Sequence, residues 1–350
     1  AVDILQNHGF EVFGPTKSVA RIEWDKRWSR EFMERNEIPH PNFRYFEDEK
    51  EAEDYVRSLY SEKSDKSIYV KANGLCSGKG ALKSTNLEEC ISNIRQMKKF
   101  GDAGRLFLVE GGLEGEEFSG YAISDGESYH LLGFAQDHKT VFNFDKGDQT
   151  GGMGAISPAM ATFSFGKEIE ENLIAKAING MNKEELPFKG ILYLGGIITN
   201  GRPVDIEYNA RWGDPECQVV LPSLETDYLE IIRACLEKRL GKMIIQKNVK
   251  TRVCVVGASR GYPGDYSAIK GKRIYGLERA IKTEGITIYG AGISIEGEKF
   301  YANGGRLFSL VAEGDNILEA RQKAYFAMAN VNIEGNNLHY RTDIGLRDAE

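Results

Sequence analysis

Apolar and polar positions along this chain follow two periods, and the switches between them outline its elements. Trp24, Trp28 and Phe32 fall at i, i+4 and i+8, so residues 23–36 read as a helix whose aromatic stripe faces a core. Pro39 and Pro41 end that segment. Before it stand a helical stretch, Gly9, a short strand Glu11-Val12-Phe13 and the turn Gly14-Pro15, together the closing part of an α/β unit. After it the pattern predicts a helix near 48–60, a strand at 68–71, a glycine-rich loop at 73–80, a helix at 86–99 and a strand at 106–110. Apolar runs follow near 118–124 and 129–135, then a polar, glycine-rich loop at 142–154 and a helix at 166–182. Two strand-like runs, 191–199 and 203–208, flank the turn Asn200-Gly201, and 224–239 reads as a long amphipathic helix. From about 250 the texture changes to short strands and glycine turns with one helix near 316–330, which suits a separate α+β domain.

Composition narrows the classes. The 350 residues, 41% hydrophobic, are enough for two or three domains. Lys and Arg number 45 against 52 Asp and Glu, a net charge of −7, which excludes a broad nucleic-acid footprint but leaves room for a small basic pocket. No apolar run approaches the roughly 18 residues of a membrane span, and the first residues carry neither the basic nor the apolar region of a signal peptide. The five cysteines are scattered, with no CxxC, which predicts a reduced, cytoplasmic setting without disulfides or a zinc site.

Three segments carry chemistry. Lys71-Ala72-Asn73-Gly74-Leu75-Cys76-Ser77-Gly78-Lys79-Gly80 follows a strand and precedes a helix, so backbone amides and lysines can close on phosphate oxygens. It is not a Walker A loop, because Gly74 and Gly78 are one residue too close and Lys79 is followed by Gly80. Lys71 ends its strand and can point across the sheet, while Lys26 sits upstream on an otherwise apolar helix. On the strand 203–208, Glu207 and Asn209 are two apart and share a face, with Arg211 next along it. A carboxylate and an amide oxygen suit Mg²⁺ or Mn²⁺, and the arginine can stabilise charge on a transferring phosphoryl group. Asp205 is a reserve ligand on the same reading. The third segment is Glu110-Gly111-Gly112-Leu113-Glu114-Gly115-Glu116-Glu117, an acidic turn after an apolar strand.

Two lysines from different elements ahead of such a metal strand resemble the ATP-grasp superfamily. That resemblance implies that Glu110 and Leu113 take adenine and that Glu117 takes the ribose, with Glu116 as the alternative. Phosphate contacts fall to Lys26, Lys71, Gly78, Lys79 and Gly80.

A narrower resemblance follows from longer motifs. Glu207-Tyr-Asn209-Ala-Arg211-Trp-Gly213-Asp214-Pro215-Glu216-Cys-Gln218, Gln136-Asp137-His138-Lys139, Thr150-Gly151-Gly152-Met153-Gly154 and Tyr340-Arg341-Thr342-Asp343 are similar to the phosphoribosylamine–glycine ligase family. Trp212 and Cys76-Ser77 depart from the family's usual residues, and Gly195-Gly196 supplies no further metal ligand.

This likeness implies a multidomain α/β and α+β protein: residues 1–22 as the end of an N-terminal α/β domain, 23–245 as an ATP-grasp domain with a lid at about 44–115, and 246–350 as a C-terminal α+β domain. It implies ligation of glycine to 5-phosphoribosylamine with ATP through glycyl phosphate in purine biosynthesis. Another ATP-grasp carboxylate–amine ligase or carboxylase is the alternative. The expected partners are these small molecules, with no nucleic acid or membrane, in a monomer or small homo-oligomer. Arg211, Asp137, His138 and Asp214 are the catalytic candidates. His138 could also be a structural imidazole, and Arg306 either binds the ribose phosphate or is a turn arginine.

Overall fold

Asp25 breaks the first aromatic helix in two. The computed structural model describes residues 1–62, 67–76 and 79–349, and in it the helical periodicity of 23–36 is divided between α1 (Arg21–Trp24) and α2 (Lys26–Arg35). Asp25 between them is extended, and its carboxylate accepts from the Trp28 amide at 3.2 Å as the N-cap of α2. A helical period alone does not register such a cap, because the apolar residues on either side keep their spacing. Trp28 and Phe32 stack at 5.3 Å as that spacing predicts.

The chain forms two units. The first comprises Ala1–Leu131, Ala161–Arg211 and Leu229–Met243. Within it β1 (Phe43–Phe46), β2 (Ile68–Ala72), β3 (Ala81–Ser84) and β4 (Phe107–Gly111) make an antiparallel sheet in the order β1-β4-β2-β3. The apolar positions of β1, β2 and β4 pack with α3 (Glu49–Glu62) and α4 (Leu87–Gln96) into one cluster that includes Phe46, Val56, Ile68, Val70, Ile94 and Phe107. Burial of such side chains at about 25 cal/mol per Å² of apolar surface makes this small subdomain a core of its own. The same unit holds three longer antiparallel strands, β5 (Glu116–Asp125), β6 (Lys189–Thr199) and β7 (Arg202–Asn209), with β6 in the middle. The turn Asn200-Gly201 joins β6 to β7 with both residues at positive φ, the conformation that a tight hairpin needs.

The second unit comprises Leu132–Met160, Trp212–Tyr228 and Ile244–Glu350. Its main sheet pairs Gly154–Ser157 with Thr251–Ser259, which in turn pairs with Arg306–Gly314 and, at its end, with Leu338–His339. The helix Ile317–Met328 supplies Ala320, Ala324 and Met328 to a core shared with Val253, Val255, Phe308 and Leu310.

Three expectations change. Residues 11–13 form no strand, having no ladder partner among the described residues. The loop at 142–154 contains a hairpin, Thr140–Phe142 with Lys146–Gln149. Lys146–Gln149 is exposed throughout, so it lacks the apolar alternation that would announce it. The long helix expected at 224–239 is confined to Tyr228–Leu236.

Candidate functional site

The first unit gathers the phosphate-type lysines and the hard-ligand strand around one cleft, lined among others by Lys26, Arg30, Lys71, Ile206, Glu207 and Tyr208. Local hydrogen bonds bring the two lysines together. Lys71 leaves β2 into Asn73, whose side-chain oxygen accepts from the Arg27 amide at 2.7 Å and whose amide donates to Asp25 at 3.1 Å. The Lys26 amide donates to the Asn73 carbonyl at 3.3 Å. The end of β2 is thus docked on the start of α2. Burial pulls the Lys26 ammonium below the ordinary lysine range, and Glu207 opposes that effect while Lys71 adds to it.

Lys71 itself is buried and pairs with Glu110 at 2.5 Å. Glu110, the residue expected to meet adenine, is also buried and accepts from Arg30 Nε at 2.7 Å. Burial would raise its carboxyl, but Arg30 and Lys71 beside it hold it at about 2. Its carboxylate is therefore committed to cations, and its main chain lies in a strand paired on both sides, opposite Phe43 and Tyr69. Leu113 is half-buried after β4, and Glu117 and Glu116 are exposed at the start of β5. Lys79 is exposed, Gly80 accepts from the Ala72 amide at 2.8 Å, and Gly78 lies outside the described residues.

On β7, Glu207 lies opposite Gly195 and Asn209 opposite Tyr193, so the two share a face as their spacing predicts. Asp205 does not join them. A bulge at Ile206 lets Asp205 pair with Gly196, the neighbour of Gly195, which turns Asp205 to the other face. There it is fully buried, with Arg30 at 3.7 Å, and the reserve-ligand expectation is corrected. Asn209 donates to Glu207 at 3.4 Å and accepts from Arg211 at 3.3 Å. Arg211 also donates to Glu23 at 2.9 Å, and the other Glu23 oxygen accepts from the Ala210 amide. Among the described residues no group of three or more His, Cys, Asp or Glu could hold a metal. One carboxylate and one amide oxygen are too few for a resident cation, but they fit Mg²⁺ that takes its remaining ligands from phosphates and water.

The second unit draws its own sequence motifs together at Gly152. This residue has φ +109°, and a Cβ on it would meet Pro215 at 2.4 Å, Asp137 Oδ1 at 3.0 Å and the Asp214 carbonyl at 3.2 Å. Only glycine admits that approach. Arg306 clasps the junction: it donates to the Gly151 and Asp214 carbonyls at 2.8 and 3.0 Å and to the Asp214 carboxylate at 2.9 Å. Gln218 holds the other Asp214 oxygen at 2.9 Å. Asp137 lies 3.5 Å from Lys139. His138 is buried, its main chain bonded to Gly154 and Met153, and its Nδ1 finds no hydrogen-bond partner among the described residues. Burial, helped by Arg341 and Arg347, pushes its imidazole down to about 4. Arg341 is itself buried between Asp343, Asp145 and Thr140.

Sequence reasoning passes over Glu23, Asp25, Arg30 and Asn73. All four are ordinary polar residues in helical or loop context. Arg30 reaches Glu110 across 80 positions and Glu23 reaches Arg211 across 188, separations that no local pattern encodes.

The comparisons with known proteins agree in sequence and in fold. The family model described as "Phosphoribosylglycinamide synthetase, ATP-grasp (A) domain" matches residues 24–217, and the "C domain" of the same name matches 252–347. The chain is 37% identical over 347 residues to a phosphoribosylamine–glycine ligase of Caldanaerobacter subterraneus subsp. tengcongensis, covering 98% of this chain and 80% of the relative. It is 38% identical over 373 residues to a bifunctional purine biosynthetic protein of Dictyostelium discoideum, covering 98% of this chain but spanning only 45% of that longer relative. A crystal structure of phosphoribosylamine–glycine ligase from Thermotoga maritima matches with a TM-score of 0.81 at 33% identity, covering 95% of this chain and 81% of the other.

Proposed function

The chain belongs to the phosphoribosylamine–glycine ligase family of the ATP-grasp superfamily, and from that premise we propose that it joins glycine to 5-phosphoribosylamine at the expense of ATP. The products are glycinamide ribonucleotide, ADP and phosphate, a step of purine biosynthesis. The observation that carries this reading is the convergence of Lys26, Lys71 and Glu207 on one cleft of the first unit, with Asn209 bonded to Glu207 beside it.

A carboxylate is a poor electrophile, so one glycine oxygen attacks the γ-phosphorus and ADP leaves, giving glycyl phosphate. The amine nitrogen then attacks the acyl carbon and phosphate departs with that oxygen. Lys26 and Lys71 hold the phosphates, with Lys79, Gly78 and Gly80 as the loop's further contacts. Glu110 and Leu113 line the base through the main chain, and Glu117 takes the ribose. Glu207 and Asn209 would hold Mg²⁺ or Mn²⁺, which when bound would supply charge neutralisation to the phosphates. Arg211 exchanges Glu23 for the transferring phosphoryl group, whose developing charge it offsets.

In the second unit Asp137 and Asp214 bind ammonium or amine through charge-assisted hydrogen bonds, and His138 contributes a neutral imidazole. Arg306 fixes Asp214 and is also the residue assigned to the ribose 5-phosphate in this reading. The subdomain of β1–β4 shields water-labile intermediates. A reducing, cytoplasmic compartment belongs to the same reading and is supported by five free cysteines; no helix among the described residues is long and apolar enough to cross a membrane.

The test is ADP release by the purified protein with freshly made phosphoribosylamine and glycine, alanine or bicarbonate as the acid. Release that depends on glycine and on the amine is expected. Release supported by bicarbonate or alanine and not by glycine would sink the proposal in favour of another carboxylate-activating ATP-grasp reaction.

A further inference from the structure

Arg30 lies at the bottom of the cleft, with no phosphate-type loop of its own, and its donors go to separate elements. Its Nε donates to Glu110 on β4 at 2.7 Å. One terminal nitrogen donates to the Ile206 carbonyl on β7 at 2.5 Å, at the bulge immediately before Glu207. The other lies 3.7 Å from Asp205 and donates toward the Met33 sulfur at 3.1 Å. The second Glu110 oxygen then holds Lys71 Nζ at 2.5 Å. A single buried guanidinium thereby links the ammonium of Lys71, by way of one carboxylate, to the backbone that carries Glu207.

We propose that Arg30 is a positioning residue for the nucleotide's phosphates: it aims Lys71 through Glu110 and seats the Glu207 strand at its bulge. The proposal rests on the reading of the cleft as an ATP site and adds a residue to it. Three features support a positioning role over mere core filling. Arg30 and Glu110 are both buried, and a buried ion pair is a weak way to gain stability compared with apolar residues of the same size. The geometry needs a planar fork with several donors, which a lysine cannot reproduce. Glu110 is held ionised by its two cations, so the link persists across the working pH range.

The experiment is calorimetric titration with MgATP and with adenosine on the wild type, Lys71→Met, Arg30→Lys and the Arg30→Lys/Lys71→Met double variant. Arg30→Lys keeps the charge but cannot reach Glu110 and Ile206 together. It should weaken MgATP binding roughly tenfold, the scale of one charge-assisted hydrogen bond, and leave adenosine binding unchanged. The double variant should bind MgATP no more weakly than Lys71→Met. Glu110→Gln breaks the link at its second joint and should weaken MgATP binding to a similar extent, and no further when combined with Lys71→Met, which keeps the test decisive where Arg30→Lys fails to fold. Equal losses for MgATP and adenosine, or losses that multiply in the double variant, overturn the proposal. Wild-type MgATP affinity in Lys71→Met overturns the phosphate reading together with the inference; loss in Lys71→Met with none in Arg30→Lys or Glu110→Gln overturns the inference alone.

Discussion

Glu207 is exposed at the cleft while Asn209, on the same face, is buried against Arg211, so the charge in the pair rests on one carboxylate. Glu207→Gln preserves its shape and removes that charge; kcat should fall roughly 10²-fold or more, the cost of losing charge stabilisation at a transferring phosphoryl group, and near-normal steady-state turnover would refute the assignment. His138 gives a second residue-scale prediction. Burial holds its imidazole at about 4 in the folded chain, below the ordinary histidine value of about 6.5, so between these values the unfolded chain binds more protons and stability rises with pH. The full contribution is present above 6.5 and is lost as pH falls toward 4, on the order of 3 kcal/mol. Urea melts from pH 7 to pH 4 should show a smaller acid loss for His138→Asn than for the wild type; equal losses would contradict this. That Glu207 and Asn209 share a face was legible from strand spacing, and Lys26 and Lys71, singled out by residue type and position, do meet Glu207 at one cleft. Arg30 and Glu23 were not legible, since their meaning comes from partners remote in sequence.

At the scale of elements, the alternation along β7 predicts the Glu207–Asn209 face but fails for Asp205, because the bulge at Ile206 shifts the register by one residue. Nothing in Val204-Asp205-Ile206-Glu207 announces a bulge; it is set by pairing with β6. The paired glycines of β6 record the same geometry. A Cβ on Gly195 would stand 3.2 Å from Glu207 Cγ, and one on Gly196 would stand 2.4 Å from the ring of buried Phe118. Gly196→Ala should therefore destabilise the protein by about 1–3 kcal/mol, as overpacking does, seen as a lowered Tm by differential scanning calorimetry. An unchanged Tm would mean that the ring yields freely. The break at Asp25 has a similar origin, since the cap becomes visible only when Asn73 is seen docked on it.

At the scale of the molecule, the order of elements and the long motifs were readable in the sequence, and the family models matched at 24–217 and 252–347 accord with them. The hairpin at 140–149 was not readable, because an exposed polar ribbon carries no apolar period. The central claim concerns a transfer of one oxygen atom, and isotopic labelling follows it directly. Glycine carrying ¹⁸O in both carboxylate oxygens is turned over with MgATP and phosphoribosylamine in ordinary water, and the released phosphate is examined by mass spectrometry. Activation through glycyl phosphate predicts one ¹⁸O in each phosphate formed. Unlabelled phosphate would show that water, and not the glycine carboxylate, had met the γ-phosphorus, and would contradict the account.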